Sequence, residues 1–437
     1  MPDTDLEHGL GLRLLKNLAV QSGSQAVVIV LGLITTYVLA RQLGPEAWGG
    51  FNYLFAYIYL FLALNDLGIT YTVVREVAQA PLRTEELVQN MLGLKLVLSV
   101  VSVLLGWLVV ALLPLPAAYK LAVRVFLLIL PVQAFTTPAV ILQARLQVAR
   151  GTIVDLANRL TGFTLMMLSV WAGHGLLFVT LSLVCGEIVG ALAIVALTFR
   201  ASKPWPRFDL PIWRHMIRSS LPLSGTSLLV AMLNRFDSLM LQALGDLTQV
   251  GYYGAAYRLP NLFERVPQLA MATLFPVMSR LAAADPRALR RVYRRMQRLM
   301  ALLVVPMVIS VMWLAPFIVR VWLGPEFAPV APLMRVVILA SALVYLGISA
   351  GNLLIALNRP KANLYAMAAA AAVNLTLNFL WIPRYRAMGA AWATVIAFGV
   401  LSGASLVMAE LALRRAVERH ERQAVPVAPS AAGEGMP

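Results

Sequence analysis

The sequence predicts an all-α polytopic membrane protein, with about twelve transmembrane helices in two six-helix lobes around a central cleft. Three observations carry this expectation. Of 437 residues, 60% are hydrophobic and only 13% charged, against about 45–50% and about 25% in an ordinary soluble domain. Mean hydropathy is +0.78, and long apolar stretches recur from Leu18 to Leu413 with only short polar breaks. Finally, the second half of the chain repeats features of the first at an offset of about 200 residues.

Stretches able to cross about 30 Å of hydrocarbon fall at roughly 17–40, 48–74, 91–113, 120–144, 152–172, 176–199, 217–244, 250–279, 299–320, 330–356, 362–382 and 388–413. Pro131, Pro138, Pro260, Pro267, Pro306 and Pro316 lie inside them, where a missing N–H bends or interrupts a helix. The organisation expected is an N-terminal segment over 1–16, a first lobe over 17–200, a linker over 201–216, a second lobe over 217–414 and a tail over 415–437. The tail's Pro/Ala/Gly-rich end, from Gln423, is expected to be disordered. The acidic start, Met1 to Gly11, lacks the apolar region and cleavage site of a signal peptide, so the first span is expected to act as its own insertion signal.

Net charge is +16, but the basic residues sit in particular loops rather than on a polar face interleaved with aromatics, which argues against nucleic acid as a partner. Alternate loops hold Arg75 and Arg83, then Arg145 and Arg150, then Arg200, Lys203 and Arg207, then the cluster from Arg280 to Arg298, then Arg359 and Lys361. That bias places these loops and both termini in the cytoplasm of a multi-pass protein of the cell inner (plasma) membrane. The lone Cys185 permits no intrachain disulfide and reads as a buried small residue.

The internal repeat is co-linear. Ser22-Gly23-Ser24 opens a helix ending at Leu43-Gly44, followed by Gly49-Gly50-Phe51-Asn52-Tyr53; Ser224-Gly225-Thr226 opens one ending at Leu244-Gly245, followed by Gly251-Tyr252-Tyr253-Gly254. Gly186 and Gly190 in the sixth span align with Gly399 and Gly403 in the twelfth, and small residues four apart let helix backbones approach. An even number of spans separates the copies, so the two lobes share one orientation about an axis along the membrane normal.

Ionisable residues inside a membrane cost about 2.5–3.5 kcal/mol each, and are therefore paired, cavity-facing or both. The richest group is Asn234, Arg235 and Asp237 on the seventh span with Arg258, Asn261, Glu264 and Arg265 on the eighth. In an antiparallel hairpin turning near Leu247, Asp237 is expected level with Arg258 as an ion pair, and Arg235 bracketed by Asn261 and Glu264. Asp155 and Arg159 form an i,i+4 pair that neutralises itself or leaves Arg159 to a ligand. Asn374 and Asn378, one turn apart on the eleventh span, line the cleft or bond to a neighbouring helix. Lys95 is expected to snorkel toward the cytoplasmic end of its span. Asp66 is a candidate carrier of a coupling proton or cation, although Asp66-Leu67-Gly68 equally suits a cap or kink.

The run from Ala40-Arg41-Gln42-Leu43-Gly44-Pro45-Glu46-Ala47-Trp48-Gly49 through Asp66-Leu67-Gly68 and Arg75-Glu76 resembles the N-terminal pattern of bacterial polysaccharide-biosynthesis membrane proteins. Arg235-Phe236-Asp237, Val250-Gly251-Tyr252-Tyr253-Gly254-Ala255-Ala256-Tyr257-Arg258-Leu259 and Phe275-Pro276-Val277-Met278-Ser279-Arg280 resemble the start of their second lobe. These are oligosaccharide flippases of the multidrug/oligosaccharidyl-lipid/polysaccharide (MOP) exporter superfamily, and the likeness spans roughly residues 15–415. It implies a MATE-like fold, alternating access, and transfer of a polyprenyl-diphosphate-linked oligosaccharide, of the kind used for O-antigen, lipopolysaccharide or exopolysaccharide, alongside other polysaccharide-assembly proteins. On that reading Arg235, Arg258 and Arg265 offer guanidinium forks to a diphosphate, and the competing reading is an ion-pair network that staples a lobe.

No phosphate-binding loop, nucleophile elbow or cluster of metal-ligating residues occurs in the sequence, so neither ATP hydrolysis by that loop, nor a metal or other cofactor, nor an enzymatic role is expected. Two alternatives stay open: a multidrug or organic-cation exporter of the same superfamily, and a membrane enzyme of glycan assembly. Five intramembrane Lys and Arg against five Asp and Glu leave charge alone unable to separate the flippase from the exporter.

Overall fold

The computed structural model describes residues 2–145, 147–203, 205–244 and 246–424, and among them the side chains outside 2–18, 81, 222–228, 230–232, 234 and 423–424. The tail from 425 onward and the side chains of Ser224, Thr226 and Asn234 therefore lie outside the described residues. Among the described residues the fold is helical and no strand occurs.

Among the described residues eight stretches are long and apolar enough to cross a membrane, and two of them, Ala19–Gln79 and Pro360–Arg422, run to 61 and 63 residues. At 1.5 Å per residue each is about 90 Å long, roughly three times the hydrocarbon thickness, so each must make more than one pass. The breaks lie where the backbone allows them. Helix α1 (Pro2–Asp66) turns at Gly44, whose φ of 76° suits glycine and which precedes Pro45. It ends at Asp66, with Leu67 and Gly68 both at positive φ before α2 (Ile69–Gln79).

Helices α3 (Thr84–Leu112), α7 (Val148–Trp171) and α8 (Leu176–Thr198) are single passes. Between α3 and α7 the chain breaks into α4 (Ala117–Leu127), α5 (Ile129–Ala134) and α6 (Ala139–Ala144), with Pro131 inside α5 and Pro138 just ahead of α6. This is the interruption the sequence expects of those prolines. Asp209 caps α9 (Leu210–Ala243), accepting from the Ile212 N–H at 3.3 Å, with Pro211 in the first turn. Helices α10 (Leu247–Phe263) and α11 (Arg265–Ala284) occupy the eighth expected span and part at Glu264, four residues after Pro260. Helix α12 (Pro286–Ile318) runs through Pro306 and Pro316 into one π-helical turn, and stops at Gly324 with φ 102°. Helices α13 (Val330–Ala356) and α14 (Pro360–Ala424) follow. The latter is broken at Arg386, φ 50°, three residues beyond Pro383.

The chain forms two compact units. The first comprises Met1–Ala256, Pro316–Leu333 and Leu377–Ala390. Within it the repeated glycine motifs of the two halves meet: a Cβ at Gly49 would collide with the Leu247 carbonyl, and one at Gly251 with the Pro45 carbonyl. Glycine is required at both positions by this backbone approach. Gly186 and Gly190 also do what their spacing suggests, bringing α8 against α7 at Asn158 and Gly162. At the end expected to be cytoplasmic, Ile69, Val73, Met91 and Met216 form a buried core, onto which Arg207 N–H bonds Gln89 O at 3.1 Å and the Trp213 indole bonds Asn90 O at 3.0 Å. Cys185 departs from expectation. It is exposed, on the same face of α8 as Leu181, Ile188 and Leu192, because an apolar helix face in a bilayer is turned to lipid and not only to protein.

The second unit comprises Tyr257–Ala315, Met334–Thr376 and Ala391–Pro437. Here Gly403 meets open space and Gly399 only the tip of Leu343. The close approach is made instead at Gly347 on α13, against Ser402, whose hydroxyl bonds Leu343 O at 2.7 Å. The sequence match of Gly186 and Gly190 with Gly399 and Gly403 therefore does not carry over to packing. At one end of the unit Glu410 takes Arg290, Arg294 and Arg414 at 3.6, 3.8 and 3.2 Å, and Glu421 takes Arg287 at 2.8 Å, tying α14 to α12.

Candidate functional site

Two helix ends set the register of the polar group on α9. That helix ends at Ala243 and α10 begins at Leu247, so Asp237 and Tyr253, each six residues from its helix end, lie level. The Tyr253 hydroxyl donates to Asp237 Oδ2, and Asn378 Nδ2 donates to Asp237 Oδ1 at 2.5 Å. Asp237 and Asn378 are both buried. A carboxylate inside an apolar bundle thus accepts hydrogen bonds from donors on α10 and α14, as a buried acceptor requires. For Asn378 this is the bond to a neighbouring helix that its position on the eleventh span suggests. Arg258, the expected ion-pair partner, belongs to the second unit.

Arg235 lies two residues before Asp237 and so points to a different face of α9. Its guanidinium sits over the Tyr59 ring of α1 at 5.2 Å from the centroid. Burial of a cation against an aromatic face offers attraction without neutralisation. Its Nε is buried, with no hydrogen-bond partner among the described residues.

The remaining members of the expected cluster, Arg258, Asn261, Glu264 and Arg265, lie in the second unit. The break between α10 and α11 presents them: Pro260 is accommodated within α10, and Glu264 N–H closes the last turn onto Pro260 O at 3.1 Å. Glu264 Oε1 accepts from Ser341 on α13 at 2.6 Å, and Tyr345 on the same helix donates to Phe263 O at 2.6 Å. Asn261 and Arg265, one turn apart, are exposed on one face. Asn374 is buried in α14.

A second polar group lies at the α1–α2 break. Lys95 Nζ on α3 donates to Asp66 Oδ1 at 2.7 Å and to Thr70 Oγ1 at 2.9 Å, and Thr70 donates to the same carboxylate oxygen. Ser99, one turn on from Lys95, reaches Asn65 Oδ1 at 3.3 Å. Lys95 therefore does not snorkel, because its counter-ion is supplied at its own depth by the preceding helix. On α7, Arg159 Nε pairs with Asp155 at 3.1 Å, as i,i+4 spacing suggests, and both side chains are about half exposed (51% and 56%). Asn158 Nδ2 reaches Glu187 Oε2 on α8 at 2.9 Å.

Sequence reasoning misses Tyr59, Tyr253, Ser341 and Tyr345. Only Tyr253 carries a signal, as part of Gly251-Tyr252-Tyr253-Gly254. The others look like ordinary interfacial or apolar-face residues until the helices are placed.

Membrane-length helices broken at glycine and proline, and carrying ionisable groups along them, define a multi-pass helical membrane protein. Comparison with known proteins narrows the class. The profile described as "Polysaccharide biosynthesis protein" matches residues 14–282, and the MatE profile matches residues 222–380. The chain belongs to the polysaccharide biosynthesis protein family of the MOP superfamily. A relative from Haloferax volcanii, the probable low-salt glycan biosynthesis flippase Agl15, is 25% identical over 268 residues, which are 60% of this chain and 55% of that one. The chain thus matches little more than half the length of this curated relative. Among solved structures, the lipid II flippase MurJ in an inward closed conformation superposes with a TM-score of 0.76 at 14% identity, covering 92% of this chain and 91% of that one. An inward-facing multidrug resistance MATE transporter superposes at 0.74 with 16% identity, covering 91% and 96%.

Proposed function

We propose that the protein is a flippase that carries a polyprenyl-diphosphate-linked oligosaccharide across the inner membrane for cell-surface polysaccharide, by alternating access between lobes 17–200 and 217–414. Both termini face the cytoplasm, in keeping with the basic loops of that side. Its partners are membrane lipid, the lipid-linked glycan and other proteins of polysaccharide assembly, and it acts as a transporter rather than an enzyme. The observation that carries the reading is Arg235: a guanidinium on a membrane helix that rests on Tyr59, its Nε unpartnered among the described residues. Holding such a charge within a membrane is unfavourable unless an anion offsets it during the cycle, and a diphosphate presents the geometry an Arg fork recognises. Arg258, Asn261, Glu264, Arg265 and Arg159 are the further residues assigned to the substrate path, with Asp237, Asn374 and Asn378 shaping it and Asp66 assigned to coupling.

The MatE match over 222–380 supports a second reading, export of a small organic cation. The Arg235 guanidinium, with no carboxylate within ion-pair distance among the described residues, disfavours it, since a cationic cargo would be repelled. The test is surface glycan, scored by lectin binding on cells whose own copy is deleted and replaced. Arg235→Gln is expected to abolish lectin binding at unchanged membrane abundance and Arg235→Lys to restore part of it. Full binding with Arg235→Gln would remove this residue from the mechanism.

A further inference from the structure

The second unit carries a cavity that the transport reading does not use. It lies where α13 turns into α14, has a volume of ≈ 660 Å³, and is lined by Arg359, Lys361, Arg415 and Arg419, with no carboxylate of the described residues on its wall. The turn brings two walls together. Asn358, at φ 58°, reverses the chain, Arg359 N–H bonds Leu354 O at 2.8 Å, and Pro360 starts α14. This sets Arg359 and Lys361 facing the far end of the same helix.

Cations at this end of a membrane protein follow from topology alone, so what matters is how they are partnered. Nearby Arg287, Arg290, Arg294 and Arg414 are bound to Glu410 and Glu421. None of the four cavity cations lies within ion-pair distance of a carboxylate among the described residues. Arg414 and Arg415 are adjacent in sequence, yet one closes a structural pair and the other faces an opening. Four like charges around one cavity repel one another, which an anion in the cavity would relieve.

The helix below the cavity says what kind of anion fits. Val407, Leu411, Arg415 and Arg419 follow at i,i+4 spacing and form one stripe of α14. Val407 and Leu411 are 60% and 47% exposed, and Arg415 and Arg419 are exposed as well. An apolar track that ends in guanidinium groups has the shape of an amphiphile, with acyl chain along Val407 and Leu411 and headgroup phosphate at Arg415 and Arg419. We propose that the α13–α14 turn is a binding site for the phosphate headgroup of a membrane lipid, formed by Arg359, Lys361, Arg415 and Arg419. The site goes beyond the transport reading, since it stands whichever cargo is moved. Two sources share this chemistry, bulk anionic phospholipid and an isoprenyl diphosphate.

The test is native mass spectrometry of the purified full chain, titrated with phosphatidylglycerol, phosphatidylcholine, an isoprenyl diphosphate and inorganic pyrophosphate. Wild-type protein is expected to retain phosphatidylglycerol in preference to phosphatidylcholine. R415Q/R419Q is expected to weaken that binding at least about tenfold, while R200Q/K203Q, which removes equal charge from a loop of the first unit, leaves it unchanged. R359Q/K361Q reads the same cavity from its other wall and serves if R415Q/R419Q does not fold. Tighter binding of the isoprenyl diphosphate would assign the site to a diphosphate lipid, and equal or weaker binding to bulk phospholipid; either supports the proposal. Unchanged phosphatidylglycerol binding in the cavity variants, equal loss in R200Q/K203Q, or pyrophosphate binding as tightly as either lipid would overturn it.

Discussion

Lys95 on α3 donates to Asp66, the last residue of α1, at 2.7 Å, and Thr70 at the start of α2 completes the contact. The pair closes a helix break at Leu67 and Gly68, so charge and backbone geometry support each other there. Lys95 is 14% exposed and Asp66 36%, which places the contact between a surface pair and a dry one. Removing one partner strands the other, at a cost of about 1–3 kcal/mol after allowing for the exposed oxygen. Lys95→Ala and Asp66→Asn are each expected to lower the melting temperature in detergent. The double variant is expected to cost no more than the worse single, and additive losses would show that the two residues are independent.

The meeting of Gly49 with Leu247 sets a second expectation. Gly49→Ala forces a methyl into a backbone carbonyl and is expected to destabilise by about 1–3 kcal/mol. Gly403→Ala faces open space and is expected to fall within about 0.5 kcal/mol of wild type, helped by helix propensity. Thermal unfolding of the two variants side by side checks both.

Tyr59 supplies the ring beneath Arg235. A cation–π contact needs the aromatic face and not the hydroxyl, so Tyr59→Phe is expected to keep transport while Tyr59→Leu lowers its rate about 3- to 30-fold, which corresponds to about 0.5–2 kcal/mol. Initial rates of glycan export at matched protein level measure the difference, and equal rates for the two variants would separate Tyr59 from the function of Arg235.

Outside the membrane-spanning segments, Asp285 caps α12. Its carboxylate accepts the N–H of Ala288 and of Arg287, both at 2.9 Å. The Ala288 bond leads in holding its pKa below the usual range, slight desolvation works the other way, and the Arg287 bond and the Arg291 charge add to the lowering. A depressed folded pKa means that the contribution is complete above the unfolded value, about 3.9, and is lost as pH falls through the folded one. Asp285→Asn keeps a capping oxygen and is expected to flatten the acid limb of the melting temperature below about pH 4. An acid limb unchanged from wild type would remove Asp285 from it.

Much of this architecture is legible in residues that act locally. Gly44-Pro45 and Asp66-Leu67-Gly68 announce breaks because φ above zero and a missing N–H are properties of those residues themselves. The i,i+4 pair of Asp155 with Arg159 needs only helical spacing. Pairing across helices is another matter. Lys95 and Asp66 are 29 positions apart and Asn378 and Asp237 141, and which faces meet depends on helix rotation that hydropathy does not encode. Gly399 and Gly403 show the same from the other side. They repeat the spacing of Gly186 and Gly190, yet lie where no neighbouring helix approaches closely among the described residues.

The most direct test of the central claim is translocation by the purified full chain in liposomes, with a polyprenyl-diphosphate oligosaccharide in the bilayer and its glycan scored by access to an external lectin. The account predicts movement with wild-type protein and its loss with Arg235→Gln. No movement of the glycan, together with uptake of a small organic cation driven by a pH or sodium gradient, would contradict it and place the protein with the drug exporters.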